Sequence, residues 1–228
     1  MIMDDLLFRG GWGASKLDLG GCVLYLPLWR PSSDMTGSTI YSYDPYRHSC
    51  TVTDATWSST GRTFDGANDI INCGDGTSLD ITTAITVEAW SNQSDSTGSR
   101  FVVGRDDGTN RSYWLVIGTG QASFILRVGD VSKIETGGTT MATGTWYHIT
   151  GTYVSGAQSV YVNGVIDSTP LATTGSIDND NVSLTIGMRP TAEDQDYAGT
   201  IGEVRIYNRA LGAGEVLHNY QATKWRYL

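Results

Sequence analysis

Short stretches of alternating apolar and polar residues recur about every ten residues from residue 61 onward, and this pattern most constrains the fold. Turn residues, chiefly glycine, asparagine and aspartate, separate the stretches. In AITVEAW (84–90), Ile85 and Val87 fall on one face, whereas Glu88 and Trp90 fall on the other. The series predicts an all-β, two-sheet antiparallel sandwich built from RTFDG, DIINCG, AITVEAW, RFVVGR, SYWLVIG, ASFILRVG, WYHITGTYV, SVYVNGVIDS, VSLTIGM and GTIGEVRIYN.

Two local signals refine this prediction. Asn163-Gly164 lies between β-branched residues, and both residue types tolerate the positive φ angles of a type I′ turn, so a tight hairpin is expected there. The stretch GAGEVLHNYQATKW has helical periodicity, with Val216, Leu217 and Tyr220 on one side. We therefore expect one short C-terminal helix at about residues 212–222.

The chain divides into an arm and one domain. Residues 1–20 contain several glycines and no sustained period, so they are interpreted as an N-terminal arm that ties one subunit to a neighbour in a homo-oligomer or larger assembly. Residues 21–228 form the expected domain. Within it, residues 30–60 are polar and rich in serine, threonine and tyrosine, which is typical of a long surface loop with one short strand at CTVT.

The charge of the chain excludes several partners. The formal net charge is −9, which argues against nucleic acid and against electrostatic docking on anionic membranes. No stretch approaches 18 apolar residues, so no membrane insertion is expected. The N-terminus carries acids where a secretion signal needs bases, so no signal peptide is visible.

The cysteine count is odd, with Cys22, Cys50 and Cys73 far apart in the sequence. This spacing fits neither a zinc site nor a full disulfide framework. Buried free thiols are the favoured interpretation, with a Cys50–Cys73 bridge as the alternative.

The order of several blocks resembles a known family. These blocks are RTFDGANDIINCG, SLDITTAITVEAW, GTWYHITGTYVSGAQSVYVNGVI, LTIGMRP and YAGTIGEVRIYNRALGAGEV. In sequence they look like the laminin G-like jelly roll of the concanavalin A-like lectin and glucanase superfamily. The resemblance covers about residues 22–222 and implies a curved sandwich whose ligands bind at the rim or on the concave face. Members often carry an acid before the glutamate of GEVRIYN, where this chain has Gly202.

The FDGAND turn is the candidate metal site. Asp65, Asn68 and Asp69 offer oxygen atoms that suit Ca²⁺, a hard cation. The resemblance also implies a structural calcium near this turn. The alternative is an Asx turn that stabilises the loop without a metal.

The strand TIGEVRIYN carries two charges among apolar residues. Strict alternation places Ile201, Glu203, Arg205 and Tyr207 on one face. The family topology implies that this strand lies beside TVEAW, which brings Glu88 near Arg205. We expect Arg205 to pair with Glu88 or Glu203 as a structural group, because a buried guanidinium needs a carboxylate partner. The alternative is that the two glutamates form a catalytic acid/base pair.

Two loops are candidate ligand sites. GRDDGTNRSYW (104–114) and GMRPTAEDQDY (187–197) mix charged, amide and aromatic side chains of the kind that hold sugars. The candidate ligand-binding residues are Arg105, Asp106, Asp107, Asn110, Tyr113, Arg189 and Tyr197.

The favoured function is a non-catalytic binding or adhesion module that recognises glycans or a protein surface. Related glucanases hold their carboxylates in the pattern Glu-x-Asp-x-x-Glu, which this sequence lacks, so a polysaccharide hydrolase or lyase is disfavoured. The main alternative is a virion surface, decoration or assembly protein. An extracellular or virion-surface location suits both interpretations.

Overall fold

The computed structural model of the chain describes residue 17, residues 19–190 and residues 195–228. Most of the expected arm, residues 1–16 and 18, lies outside the described residues. In chain order the strands are β1 (Cys22–Leu26), β2 (Thr39–Tyr41), β3 (Ser49–Thr53), β4 (Thr56–Ser58), β5 (Gly61–Asp65), β6 (Ile70–Asn72), β7 (Ala84–Gln93), β8 (Ser99–Asp106), β9 (Arg111–Gly118), β10 (Gln121–Val128), β11 (Val131–Thr136), β12 (Tyr147–Val154), β13 (Ala157–Val162), β14 (Val165–Ile166), β15 (Thr185–Ile186) and β16 (Ala198–Tyr207). The helices are α1 (Ser33–Thr36), α2 (Ala213–Thr223) and two 3-10 turns, Thr77–Leu79 and Lys224–Arg226.

The strands form two antiparallel sheets, as the sequence pattern predicts. The first sheet has the order β14-β13-β12-β7-β16-β5-β4, and the second has the order β11-β10-β9-β8-β15-β6-β3-β2. β1 also belongs to the first sheet and pairs with β16. Along the same edge of β16, residues 198–201 pair with β5 and residues 204–207 pair with β1. The prediction of a two-sheet jelly-roll sandwich with one short C-terminal helix is confirmed.

The core lies between the sheets and collects alternate residues from both. Ile85 and Val87 of β7 join it, whereas Glu88 and Trp90 lie on the opposite face of the same strand. The sheets approach closely where the Phe124 ring of β10 packs against Gly151 of β12. A β-carbon on this glycine would lie 2.2 Å from the ring, so the position requires glycine.

The Asn163-Gly164 hairpin has the predicted geometry. Both residues have positive φ angles, 52° and 79°, and Val162 pairs directly with Val165 across the turn. A two-residue loop with positive φ at both positions is a type I′ turn, so this prediction is confirmed.

β16 departs from strict alternation, and the expected face of Ile201 is wrong. The pairing with β7 shifts register between Ile201 and Glu203, which makes Gly202 the extra residue of a β-bulge. Ile201 consequently joins Val204 in the core, while Glu203 and Arg205 remain on the opposite face.

Other departures concern short strands at the edges of both sheets and the buried side of α2. Residues 30–60 contain α1, β2 and β4 as well as the expected short strand β3, and β11 was not predicted. Half of β11 is exposed, so its sequence lacks a strong apolar pattern. The buried side of α2 is formed by Val216, Asn219, Ala222 and Thr223, and Leu217 is exposed.

Cys50 and Cys73 form a disulfide that links β3 to the end of β6. Of the two open interpretations, the bridge is therefore the one found, and Cys22 is a buried free thiol. Burial raises the pKa of Cys22 to about 12, and its Sγ donates a hydrogen bond to the Leu24 carbonyl. Within the described part of the chain, no helix is long and apolar enough to cross a membrane.

Candidate functional site

A charged cluster lies between the first sheet and α2. Arg205 donates from Nε to Glu88 Oε2 at 2.9 Å and from Nη1 to Glu203 Oε1 at 2.8 Å. Asn219 of α2 donates to the same oxygen of Glu88 at 3.1 Å, and Trp29 Nε1 donates to Glu203 Oε2 at 3.2 Å. Arg205 thus pairs with both candidate glutamates.

Burial and neighbouring charges shift the pKa values of Glu88, Arg205 and His148. Burial raises the pKa of Glu88, and the neighbouring Arg205 opposes that shift. Burial also disfavours the charged form of Arg205, but the two carboxylates outweigh it and raise the pKa of the guanidinium well above its ordinary value. Burial and the Arg205 charge hold the pKa of His148 well below its ordinary value. His148 is therefore neutral, and its Nε2 accepts from Arg205 Nη2 at 3.3 Å.

The cluster is enclosed by aromatic side chains. The side chains of Glu88, Glu203 and Arg205 are at most 2% exposed. Trp90 beside them stacks on Tyr227 with ring centroids 4.4 Å apart, and its Nε1 donates to Thr223 Oγ1 at 2.8 Å. These groups hold α2 against the sheet, and the carboxylates do not face an open cleft.

Arg105, a candidate ligand residue, serves the fold. Its side chain is fully buried, and its Nε donates to the Val182 carbonyl at 2.8 Å. Its Nη1 donates to the Leu79 carbonyl at 2.8 Å and to Asp80 Oδ1 at 2.6 Å. The guanidinium therefore joins the loop before β15 to the 3-10 turn Thr77–Leu79. It is not available to a ligand in this structure.

Three further candidates are also buried. Asp106 Oδ1 lies 3.1 Å from Arg189 Nε and 3.4 Å from Arg111 Nε. Tyr113 lies in the core and donates to the Leu79 carbonyl. Tyr197 is buried, and its hydroxyl shares a 2.6 Å hydrogen bond with Ser91 Oγ. Their side chains support the loops and do not form a binding surface.

The remaining candidates reach the surface but do not form one site. Asp107 Oδ1 accepts from the backbone N–H groups of Thr109 and Asn110, which is an Asx-type turn. Burial tends to raise the pKa of Asp107, but hydrogen bonds from Asn110 and these N–H groups lower it overall. Arg189 stays beside Asp106. The structure brings together Asp106 and Arg189, whereas Tyr113 and Tyr197 lie in the interior.

The Asp65–Asp69 turn holds itself together through its carboxylates. Asp69 Oδ2 accepts from the Asp65 N–H at 2.8 Å, and Asp65 Oδ1 accepts from the Ala67 N–H at 2.9 Å. Asn68 Nδ2 donates to Asp54 Oδ2 at 3.4 Å. Burial raises the pKa of Asp69, the hydrogen bond from Asp65 opposes this, and the charges of Asp65 and Asp54 raise it further.

The oxygen atoms of this turn supply only part of the coordination shell that a hard cation needs. Asp65 Oδ2, Asp69 Oδ1 and the Asn68 carbonyl oxygen accept no hydrogen bond from the described residues, and repulsion between the carboxylates favours a bound positive charge. Among the described residues, no group of three or more histidine, cysteine, aspartate or glutamate side chains has metal-binding geometry. The turn therefore supplies at most two carboxylates, and a calcium ion would complete its shell with carbonyl oxygens and water.

A surface that the sequence analysis missed lies on the loop between β2 and β3 and on the segment before β2. We call it the tyrosine–arginine patch and define it as Arg30, Asp34, Tyr41, Tyr43, Tyr46 and Arg47. Asp44 holds the loop in place, because its Oδ2 accepts from the Tyr25 N–H and its Oδ1 accepts from the Tyr46 N–H. The Tyr43 N–H in turn donates to the Tyr25 carbonyl at 2.8 Å. The loop is thus anchored to β1 and is preorganised.

The patch displays aromatic rings and guanidinium groups to solvent. Tyr46 is 55% exposed, and its ring stacks on His48 with centroids 6.0 Å apart. Arg47 lies over the Tyr41 ring at 5.0 Å, and Arg30 lies over the Tyr43 ring at 4.8 Å. These cation–π contacts orient the arginine side chains without burying their charge.

The sequence contained a signal for this patch. YSYDPYRHS (41–49) holds three tyrosines, an arginine and a histidine within nine residues. The segment from Arg30 to Asp34 is brought to this stretch only by the fold. Ser32 Oγ lies 3.0 Å from the Tyr43 hydroxyl, and Asp34 pairs with Arg47.

Comparison with known proteins gives a family. Residues 65–217 match a family model described as the concanavalin A-like lectin/glucanases superfamily, of the laminin G type. No curated protein matches the sequence significantly.

Solved structures share the fold at low sequence identity. The receptor-binding domain of a botulinum neurotoxin C/D mosaic serotype superposes with a TM-score of 0.70 and 15% identity, over 90% of this chain and 52% of that one. The botulinum neurotoxin serotype D ligand-binding domain in complex with N-acetylneuraminic acid gives 0.70 and 16%, over 89% and 51%. Trypanosoma rangeli sialidase in complex with 2,3-difluorosialic acid gives 0.70 and 18%, over 93% and 35%. The chain therefore spans about half the length of the toxin domains and about a third of the sialidase.

Proposed function

Because the chain belongs to the laminin G-like group of the concanavalin A-like lectin and glucanase superfamily, we propose that it is a non-catalytic glycan-binding module. The tyrosine–arginine patch is its binding surface. The observation that carries this proposal is an anchored loop that displays Tyr46 to solvent and also carries the two cation–π pairs of the patch.

The chemistry of the patch suits a sugar. A pyranose ring has an apolar face that packs on an aromatic ring, and its hydroxyls need hydrogen-bonding groups at the rim. Tyr46 supplies an exposed ring, and the Arg47 and Asp34 side chains supply donors and acceptors beside it. Anchoring by Asp44 lowers the entropy that the loop loses on binding, which favours affinity for a small ligand.

The buried charge cluster supports a module without hydrolytic activity. Glycoside hydrolysis needs two carboxyl groups on either side of the scissile bond, with access for water. Glu88 and Glu203 both bind Arg205 and lie beneath α2, so neither reaches a saccharide without displacement of the helix.

Two further points agree with the proposal. The serotype D toxin domain that shares this fold is solved with N-acetylneuraminic acid, a saccharide ligand. The Cys50–Cys73 disulfide favours an oxidising environment, which suits an extracellular protein that meets glycans.

A glycan array with the purified chain tests the proposal. We expect binding to a defined subset of oligosaccharides that is lost in Tyr46→Ala. Ile134→Ala is the matched control, because Ile134 is also 55% exposed but lies on β11, at the opposite edge of the sheet from β2. Absence of saccharide binding in the wild type, or equal binding by Tyr46→Ala and Ile134→Ala, would contradict the proposal.

A further inference from the structure

An exposed tryptophan lies at the C-terminal end of the chain. Trp225, in the 3-10 turn Lys224–Arg226, is 55% exposed, whereas Trp90 and Trp114 are at most 6% exposed. The exposed indole is also fixed in orientation, because its Nε1 donates to the Ala222 carbonyl at 3.0 Å. A ring that is exposed yet fixed can be covered by a ligand at little cost in conformational entropy, which favours binding.

The guanidinium of Arg226 contacts two indole rings. Its Cζ lies 3.2 Å from the centroid of the Trp29 ring and 4.4 Å from the centroid of the Trp225 ring. The Trp29 ring is held in turn by its hydrogen bond to Glu203. We call Trp29, Trp225 and Arg226 the tryptophan–arginine stack. Its cation–π contacts give the exposed indole a rigid support.

The stack and the tyrosine–arginine patch meet at two consecutive residues. Trp29 belongs to the stack, and Arg30 of the patch lies over the Tyr43 ring. Two backbone hydrogen bonds of 2.9 Å shape the segment that carries them, from the Arg30 N–H to the Pro27 carbonyl and from the Ser32 N–H to the Arg30 carbonyl. The two aromatic surfaces are therefore neighbours on one anchored segment.

The charges along this combined surface are balanced. Arg47 pairs with Asp34, and Asp44 brings a second carboxylate beside the two arginines of the patch. In the stack, burial lowers the pKa of Arg226, and the charges of nearby groups that include Glu203 oppose that shift. Exposed aromatic rings beside balanced charges suit a neutral ligand that has both apolar faces and hydroxyl groups.

We infer that the patch and the stack together bind one extended, neutral oligosaccharide, with one sugar on Tyr46 and a sugar farther along the same chain on Trp225. This inference rests on the proposed function. Once the first sugar is bound at the patch, contact with Trp225 becomes intramolecular, so affinity rises when the oligosaccharide is long enough to reach both rings. A short saccharide contacts one ring and lacks this gain.

Titration calorimetry with oligosaccharides of two lengths tests the inference on the full chain. The probes are the disaccharide and the hexasaccharide of four neutral series, the cello-, manno-, xylo- and N-acetylchito-oligosaccharides. The gain is the ratio of hexasaccharide to disaccharide affinity. In at least one series we expect the gain of the wild type to exceed that of Trp225→Ala by about tenfold or more. The variant should keep only the gain from the several positions at which a longer chain can bind one ring.

Two further variants and one further measurement accompany this comparison. Trp225→Tyr keeps a ring and should keep most of the gain, whereas Ile134→Ala, at an equally exposed position on β11, should leave the gain unchanged. In the wild type, the bound hexasaccharide should shield tryptophan fluorescence from quenching by acrylamide, and the disaccharide should shield it less. Far-ultraviolet circular dichroism confirms that each variant has folded.

The outcomes distinguish this inference from the proposed function. Equal gains in the wild type and Trp225→Ala, or no shielding of tryptophan by a bound hexasaccharide, would overturn the inference. Failure of all four hexasaccharides to bind would overturn it as well. In each case the glycan array, compared between the wild type and Tyr46→Ala, decides the proposed function separately.

Discussion

The ring of Tyr227 occupies the space in which a β-carbon on Gly202 would lie. The nearest ring atom, Cε1, is 2.4 Å from that position. Tyr227 in turn stacks on Trp90 and lies 4.6 Å from the Trp146 ring. The bulge at Gly202 is thus where the C-terminal turn docks on the first sheet, and a side chain at this position is incompatible with that docking.

Gly202→Ala should destabilise the protein by about 1–3 kcal/mol, because a methyl group must displace a buried ring. Gly214→Ala is the matched control, since nothing lies within 4 Å of its β-carbon position in α2, and it should be neutral or slightly stabilising. Urea denaturation of both variants measures the difference. The double variant Gly202→Ala/Tyr227→Ala should lose less stability than the sum of the single variants. Strict additivity would show that the two residues do not interact.

Removal of Arg205 should be strongly destabilising. Arg205→Ala leaves the carboxylates of Glu88 and Glu203 buried without their cation, which costs about 2–5 kcal/mol. Chemical denaturation at neutral pH measures the loss, and Arg127→Ala on β10 is the control. The triple variant Glu88→Gln/Glu203→Gln/Arg205→Met should recover part of the stability, because no unpaired charge remains. An unchanged unfolding midpoint in Arg205→Ala would show that the cluster contributes little.

His148 should make stability depend on pH in the weakly acidic range. Its pKa is lowered well below 6.5 by burial and by Arg205, so the unfolded chain binds a proton that the folded chain excludes. Stability from this group is full above pH 6.5 and falls as the pH is lowered toward its folded pKa, by up to about 1.4 kcal/mol per pH unit. Neighbouring Glu88 has a raised pKa and contributes with the opposite sign.

The measurement compares wild type with His148→Gln. Free energies of unfolding at a series of pH values between about 4.5 and 7.5 should show a shallower decline on acidification for the variant. The other titrating groups are common to both proteins. Parallel curves would mean that the pKa of His148 is the same in the folded and the unfolded chain.

The sequence predicted the sandwich because its signals are local. Alternation in β7 and the paired positive φ angles at Asn163-Gly164 need no information from distant residues. The bulge at Gly202 was not predictable in the same way, since it depends on the Tyr227 ring, which the fold brings from the C-terminus. Strict alternation does not allow for the extra residue of a bulge, and it therefore puts Ile201 on the wrong face of the strand.

The candidate site was harder to predict than the fold. Arg105 and Tyr113 occur in a stretch of mixed charge and aromatic character that resembles a binding loop, but they lie on strands and point into the molecule. Arg30 lies outside the YSYDPYRHS stretch that contains Tyr43, and their contact depends on how the loop between β2 and β3 folds back on β1. Composition cannot distinguish a guanidinium that holds a loop from one that faces solvent.

We also predict that calcium binds at the Asp65–Asp69 turn, where its positive charge would offset the negative charges of neighbouring carboxylates. Asp65, Asp69 and nearby Asp54 repel one another, and this repulsion contributes to the raised pKa of Asp69. An ion bound only by the folded chain would stabilise it by about 2.7 kcal/mol when present at a hundred times its dissociation constant. The ion would tie the end of β5 to the start of β16, since Asp65 pairs with Ala198.

Thermal melts in calcium and in EDTA test this expectation. We expect a higher melting temperature in calcium for the wild type and no difference between buffers for Asp65→Ala, with unchanged sheet content, because the ion would lie on a turn outside the core. Asp75→Asn, at an exposed position before the 3-10 turn Thr77–Leu79, is the control and should keep the wild-type response. Coincident wild-type curves in the two buffers would rule out a structural calcium. The carboxylates of Asp65 and Asp69 would then act only as acceptors for the Ala67 and Asp65 N–H groups.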